Sequence, residues 1–185
     1  MFQKKNTWRL DRDDYFTVPQ PEVRIDRRDP AWGHRHLITV AQLRACLDPL
    51  PDWDELAVGL RAFVLDSADD CTGWHDRGVV AVCAWEQELW WTEAYPAFVK
   101  EHRALFDLLT IECEQRGEYV EVPWTEEQAR AFQLLHILTR ELGDHHDRMT
   151  THSRRDSARG EDNAERLAHR VVEVVWPAYA AAFGV

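Results

Sequence analysis

The sequence predicts an α+β fold, in which a small antiparallel sheet packs on a long helix and on a C-terminal helix. Two runs of β-prone residues, 62–65 and 78–85, are separated by a polar, glycine-containing stretch, as two antiparallel strands would be. A long helical pattern begins at Thr125, and another covers about residues 161–183. These segments place the two main strands before the two longest helices.

The first 36 residues combine charged side chains with three prolines and show no sustained periodicity. We therefore predict an extended N-terminal arm over residues 1–36, without regular structure, followed by a single domain over residues 37–185. Thr39 is the expected N-cap of a short helix that Pro49 ends, and a second short helix is expected to begin at Asp52.

The middle of the chain adds further elements to this plan. Residues 96–109 have the spacing of an amphipathic helix, and residues 111–122, broken at Gly117, are typical of a small hairpin. A capping-box pattern at Thr125 starts the long helix, with acidic residues in its first turn. The last helix contains Pro177, which we expect to kink or divide it.

Size and charge narrow the class of protein. The chain has 185 residues, an ordinary length for one domain, and its 22 basic against 33 acidic residues give a formal net charge of −11. This charge opposes nonspecific binding to nucleic acid and to anionic membranes, so we expect neither partner. No stretch approaches the ~20 apolar residues of a membrane span, which predicts a soluble cytoplasmic protein.

Cysteine and tryptophan content give two further expectations. The four cysteines are widely spaced and form no C-x-x-C pair, which favours reduced thiols over a zinc knuckle or a disulfide framework. The nine tryptophans include Trp85, Trp90 and Trp91, which are close in sequence. We favour a place in the core for them, whereas a self-associating structural protein would expose them to a second copy.

The most informative segment is Arg140-Glu141-Leu142-Gly143-Asp144, within the long predicted helix. In the H-E-x-x-H motif, two histidines on one face of a helix bind zinc, and the glutamate acts as the general base. Here the glutamate and the Leu-Gly pair stand where that motif has them, but Arg140 and Asp144 take the two ligand positions.

This segment and the following helix together resemble the small zincin-like (gluzincin) metallopeptidases over roughly residues 60–185. The later helix resembles their third-ligand pattern, E-x-x-A-x-x-[FL]-A, which would make Glu161 the third ligand. The resemblance implies a zincin-like domain. It also gives a peptide-pairing role to the strand before the motif, formed by Val79, Val80, Ala81, Val82, Cys83 and Ala84.

The replaced ligands predict the loss of the standard zinc site. A guanidinium has no lone pair for zinc at neutral pH and adds a competing positive charge. We expect Arg140 to fill the place of the metal, held by Asp144 and Glu161 with Glu141 nearby. The prediction is a pseudo-enzyme without a cofactor, which binds a peptide or protein segment or has a regulatory role.

A rearranged metal site is the alternative, and it would make the protein an active metal-dependent hydrolase that uses zinc. Glu141 and His145 are one helical turn apart and could combine with Glu161 or His136. If Glu141 becomes a ligand, however, the expected general base is lost.

Ordinary structural roles also account for these side chains. His136 would then be a hydrogen-bonded histidine at the edge of the core, and His145 would interact with the end of its helix. Arg140 and Asp144 would form a simple surface ion pair, which contributes roughly 0.3 to 0.5 kcal/mol.

Overall fold

The computed structural model describes residues 22–68, 71–151 and 157–183, with side chains for all of these except 90–94 and 157–163. The strands are β1 (Arg24–Arg27), β2 (His34–Arg35), β3 (Ala62–Asp66), β4 (Gly73–Asp76), β5 (Val79–Cys83), β6 (Trp85–Glu86), β7 (Trp90–Ala94), β8 (Glu114–Arg116) and β9 (Tyr119–Pro123). The helices are α1 (Val40–Leu47), α2 (Trp53–Leu56), α3 (Pro96–Glu101), α4 (Arg103–Leu108), α5 (Glu126–Phe132), α6 (Leu138–Thr150) and α7 (Ser157–Phe183), with a π-helical turn at Gln133–Ile137. Within these ranges, no helix combines the length and the apolar character needed to cross a membrane.

The main sheet has the strand order β1-β3-β5-β4. β3 and β5 are parallel, and only β4 runs antiparallel, beside β5. The predicted antiparallel pairing of residues 62–65 with 78–85 is therefore wrong, although both segments are strands and the α+β content is as predicted. The reason is a tight turn at Arg77 and Gly78, which both have positive φ and join β4 to β5 as a hairpin. β4 thus takes the antiparallel position.

The N-terminal part of the described chain is more regular than predicted. β1 pairs in parallel with β3, and β2 pairs with β6, so the absence of regular structure predicted for residues 1–36 is wrong at Arg24–Arg27 and at His34–Arg35. The partner strands β3 and β6 belong to the domain predicted over residues 37–185, so these pairings join residues 24–35 to it. The first 21 residues of the predicted arm lie outside the described residues.

Several predicted helix and hairpin signals are confirmed. Thr39 and Thr125 each form a complete capping box, with Gln42 and Gln128 respectively. The hairpin β8–β9 turns at Gly117, as predicted, and β9 also pairs with β7. The helix predicted over residues 96–109 is instead two short helices, because the backbone leaves the helical conformation at their junction.

α5, the π turn and α6 follow one another without a break, and we call this unit the motif helix. α7 packs along α6 and continues through Pro177, so the proline does not divide it. The two helices approach closely at Gly143, where an added Cβ would lie 2.9 Å from Ala164 Cα. This close approach brings the middle of α7 against residues 140–144, which we call the degenerate motif.

The aromatic core lies between the sheet and the motif helix. Trp85 is buried and packs edge-on against Trp124, with ring centroids 5.4 Å apart, so the core position favoured for this tryptophan is confirmed. The side chains of Trp90 and Trp91 lie outside the described residues.

Candidate functional site

A cavity of about 760 Å³ lies between the motif helix, α7 and the junction of α3 with α4. Phe98 and Phe132 form part of its wall, and Thr72, just before β4, lies at its edge. The cavity contains the first two positions of the degenerate motif, Arg140 and Glu141. Its other ionisable wall residues include His102, His136, Glu165 and His169.

The π turn positions His136 on this wall. A π turn inserts one extra residue into a helix, which shifts the faces of the following turns. The Thr139 hydroxyl adds hydrogen bonds within this turn, because it donates to the carbonyls of Leu135 and His136 at 2.8 Å and 3.1 Å. His136 itself is only 6% exposed.

Arg140 faces two carboxylates across the cavity. Its Nη1 lies 3.5 Å from Glu141 Oε1, and its Nε lies 3.9 Å from Glu165 Oε2. Within the described part of the chain it forms no ion pair with Asp144, so that predicted partner is wrong. Asp144 lies beside His75 and Glu141 instead, and Glu165 on α7 is the second carboxylate near Arg140. The side chain of Glu161, the predicted third ligand, lies outside the described residues.

Glu141 has a second partner that the sequence did not predict. His75 Nδ1, on β4, lies 2.8 Å from Glu141 Oε2, and both side chains are largely buried. Gly73 permits this approach, because an added Cβ there would lie 2.6 Å from Ile137 Cγ2 and 3.1 Å from the Glu141 side chain. Asp144 is close as well: potential ligand atoms of His75, Glu141 and Asp144 lie within 4.8 Å of one another. Burial raises the pKa of the Asp144 carboxyl.

A second cluster joins the motif helix to α7 and to the α3–α4 junction. His102 Nε2 lies 2.9 Å from His136 Nε2 and 3.3 Å from Glu165 Oε1. His136 Nδ1 is 3.8 Å from the same carboxylate oxygen, and His169 Nε2 is 3.2 Å from it. Potential ligand atoms of His102, His136 and Glu165 also lie within 4.8 Å of one another.

Burial and charge divide the roles within this second cluster. Burial, with a smaller contribution from the neighbouring His102, lowers the pKa of His136 to about 3. Burial also tends to lower the pKa of His102, but Glu165 and the Phe98 carbonyl outweigh it, so the pKa of His102 is raised. Burial tends to raise the pKa of Glu165, but the surrounding histidines lower it. His136 is thus held neutral, while His102 and Glu165 favour their charged forms.

The alternative metal set predicted from the sequence is not brought together. His145 is buried away from the cavity, with Nε2 3.1 Å from the Val58 carbonyl oxygen, and burial lowers its pKa to about 4. It therefore does not join Glu141 in a common site, and it has the structural role that the sequence also allowed. Its carbonyl partner, however, belongs to the chain after α2 and not to the end of its own helix.

The strand predicted to pair with a peptide has no free edge. β5, residues Val79–Cys83, lies between β3 and β4, which occupy both of its edges, and Ala84 N–H donates to the Asp66 carbonyl. The peptide-pairing role predicted for Val79 to Ala84 is therefore wrong in this arrangement. The strand at the edge of the sheet next to the motif helix is β4.

Four residues of the two clusters, His75, His102, Glu165 and His169, were not predicted as site residues from the sequence, and only Glu165 carried a signal. Glu165 follows Glu161 by one helical turn and precedes His169 by one turn, and this spacing indicates a second acidic residue on the same face of the helix. His75 and His102 come from segments with no motif of their own, and only the fold brings them to the site.

Comparison with protein-family models, with curated proteins and with solved structures finds no match to this chain. The donor set can still be tested against the zinc ion that the zincin resemblance implies. It does not fit at the motif positions, because Arg140 offers no lone pair and holds a positive charge there.

Proposed function

We propose that this chain is a zincin-like metallopeptidase homologue that has lost the standard zinc site and acts as a noncatalytic peptide- or protein-binding domain. The observation that supports this most directly is the position of Arg140. Its guanidinium faces both Glu141 and Glu165 from the first ligand position of the motif. A cation at this position opposes a metal ion there by charge, in addition to removing a donor.

The state of Glu141 supports the same conclusion. A general base must reach the proton that it removes, usually by way of a bound water. Both carboxylate oxygens of Glu141 face protein partners instead, with Oε2 2.8 Å from His75 and Oε1 3.5 Å from Arg140. The side chain is thus held as part of a structural network between β4 and the motif helix.

The edge of β4 is where we expect an extended segment of a partner protein to bind. The Cys83 N–H donates to the Thr72 carbonyl at 3.0 Å. Hydrogen-bonded and non-hydrogen-bonded residues alternate along an antiparallel strand, so the N–H and C=O groups of Gly73 and His75 point to the outer edge of β4. Among the described residues, no strand pairs with this edge. An extended peptide can add there by backbone pairing, with side chains entering the adjacent cavity beside Thr72.

A randomised pool of short peptides tests this proposal. The pool is added to isotope-labelled protein, backbone amide shifts are followed by NMR, and the peptides are analysed for cleavage by mass spectrometry, with and without added zinc. We expect shifts concentrated at Gly73–Asp76 and no cleavage. β8, an exposed edge strand of the three-stranded sheet β7-β9-β8, is the internal control and should not respond. Zinc-dependent cleavage that Glu141→Gln abolishes, or shifts spread equally over β4 and β8, would overturn the proposal.

One observation favours a second candidate, an active metal-dependent hydrolase. His75, Glu141 and Asp144 offer an imidazole and two carboxylates within 4.8 Å, a donor set that suits zinc or manganese. Such an enzyme would lose both metal and peptidase activity in His75→Gln and in Asp144→Asn. If the native chain cleaves peptides and both variants still cleave them, this candidate is excluded.

A further inference from the structure

We propose that His102, His136 and Glu165 form a binding site for a divalent transition-metal ion, one helical turn before the zinc position of the degenerate motif. This site is separate from the proposed peptide-binding role, so either can fail without the other. The ion is of the class that imidazole and carboxylate ligands suit, with Zn²⁺ and Fe²⁺ as its common members.

The distances between the donor atoms match the size of such an ion. Tetrahedral zinc, with bonds of about 2.0 to 2.1 Å, separates its ligand atoms by roughly 3.3 Å. His102 Nε2 lies 2.9 Å from His136 Nε2, somewhat below that separation, and 3.3 Å from Glu165 Oε1, which equals it. Three different parts of the chain supply the donors, so their convergence is a property of the fold and not of one helix.

His102 is oriented as a metal-binding histidine. Its Nδ1 donates to the Phe98 carbonyl at 2.8 Å, so Nε2, directed at the other two residues, is the nitrogen that would bind a metal ion in exchange for its proton. Histidine ligands commonly have this arrangement, in which a hydrogen bond from one ring nitrogen fixes the tautomer of the other. The Phe98 ring also stacks on the imidazole, with centroids 4.1 Å apart, and so holds its plane.

Glu165 divides its two oxygens between the histidines and Arg140. Oε2 faces the guanidinium at 3.9 Å, while Oε1 turns to the histidines. Oε1 is buried, and imidazole nitrogens of His169, His102 and His136 lie 3.2, 3.3 and 3.8 Å from it without the geometry of a good hydrogen bond. A buried carboxylate oxygen needs a close partner, and a metal ion bound at about 2.0 to 2.2 Å would be a stronger one than these contacts.

The short contact between the two imidazoles points to the same conclusion. With 2.9 Å between the two Nε2 atoms, a proton or a cation must lie between them, because two lone pairs would repel each other. A metal ion can replace that proton. The cavity beside the cluster then leaves a further coordination position open to water or to a small ligand, and His169 lies at its rim.

Metal titration of the full chain tests this site. The protein is dialysed against EDTA and then against metal-free buffer, and it is titrated with Zn²⁺ by calorimetry and with Co²⁺ by visible absorption. We expect one equivalent to bind. His136→Gln and Glu165→Gln should each weaken binding by roughly 100-fold or more, because the loss of an outer partner alone weakens metal sites by 10- to 100-fold.

Matched substitutions in the other cluster separate the two sites. His75→Gln and Asp144→Asn should leave the Zn²⁺ affinity within about twofold, as expected for positions that do not share a ligand. Ring ¹⁵N shifts of His102 and His136 in the native chain give a readout that does not depend on how the variants fold, and both should move on addition of Zn²⁺. The site is overturned if folded native protein binds no metal, if the ring shifts stay unchanged while metal binds, or if only the His75 and Asp144 substitutions remove binding.

Discussion

Arg140 and Glu165 face each other across the contact between α6 and α7, with the guanidinium Nε 3.9 Å from the carboxylate Oε2. Arg140 stands at the first zinc position of the degenerate motif, and Glu165 stands one turn after the predicted third ligand. The guanidinium thus lies where α6 and α7 approach each other. Glu165 is turned, on its other side, towards a pair of histidines.

Replacing Arg140 by glutamine should strengthen Zn²⁺ binding at the His102–His136–Glu165 site by roughly fivefold. Removal of a nearby positive charge at a partly exposed position is worth about 1 kcal/mol. Calorimetry gives the affinity, and Arg166→Gln on the same cavity wall is the control for a general loss of charge. An affinity that falls in Arg140→Gln would mean that the arginine holds Glu165 in place for the metal.

The contact at Gly143 should not accept a methyl group. An added Cβ would meet the backbone of Ala164 at 2.9 Å, so α6 and α7 must separate. Overpacking of this kind costs about 1 to 3 kcal/mol, against a gain of about 1 kcal/mol in helix propensity. We expect Gly143→Ala to lower the free energy of unfolding in urea by about 1 kcal/mol. Ala181→Ser, at an exposed position of α7, should change it by less than ~0.5 kcal/mol. A stabilised Gly143→Ala variant would show that the helices separate at little cost.

The buried His145 should make the fold less stable in acid. Burial lowers its pKa to about 4 in the folded protein, whereas a histidine in the unfolded chain has a pKa near 6.5. The unfolded chain therefore binds more protons between these values, and stability present above pH 6.5 is lost as the pH falls towards 4. The loss from this residue is at most about 3 kcal/mol.

Urea titrations at several pH values measure this effect. His145→Gln should flatten the dependence of the free energy of unfolding between pH 6.5 and 4, because glutamine does not titrate there. His34→Gln, near the surface, is the matched control. An unchanged slope in His145→Gln would assign the acid sensitivity to another group.

The hydroxyl of Thr139 should stabilise the π turn. It donates to the carbonyls of Leu135 and His136, which both belong to the turn. Thr139→Val keeps the shape and removes the donor, so we expect a loss of about 1 to 2 kcal/mol in the free energy of unfolding. Thr150→Val is the control, because its hydroxyl donates to a helix carbonyl at an exposed position. Equal effects of the two substitutions would argue against a special role for the π turn.

The local elements were largely predictable, because caps, turns and apolar spacing are written in short stretches of sequence. Thr39 and Thr125 begin helices in the structure as predicted, and Gly117 lies in the turn of the β8–β9 hairpin. The direction of β5 relative to β3 was predicted wrongly, as antiparallel, although its uninterrupted apolar run is typical of a parallel strand buried on both faces. β1 escaped prediction because its charged sequence shows no alternation, and it is held by pairing with β3.

Part of the site was predictable for the same reason. Arg140 and Glu141 belong to one recognisable segment, and the structure places both in the cavity. His75 and His102 reach it only through tertiary packing, and no spacing along the chain predicts such a contact. Glu165, and not Asp144, lies near Arg140 because α7 packs against this part of the motif helix. That packing includes the close approach at Gly143, which no local sequence pattern predicts.

The central claim is that Arg140 and Asp144 stand where a zinc site has been lost, and zinc content measures it most directly. The comparison uses two dialysed proteins that both carry His136→Gln, which removes the neighbouring cluster. One keeps Arg140 and Asp144 and the other carries R140H/D144H, and elemental mass spectrometry gives the zinc content of each. We predict a gain of about one zinc per chain, lost again on adding Glu161→Gln. A folded double variant that gains no zinc would contradict the zincin ancestry of the site.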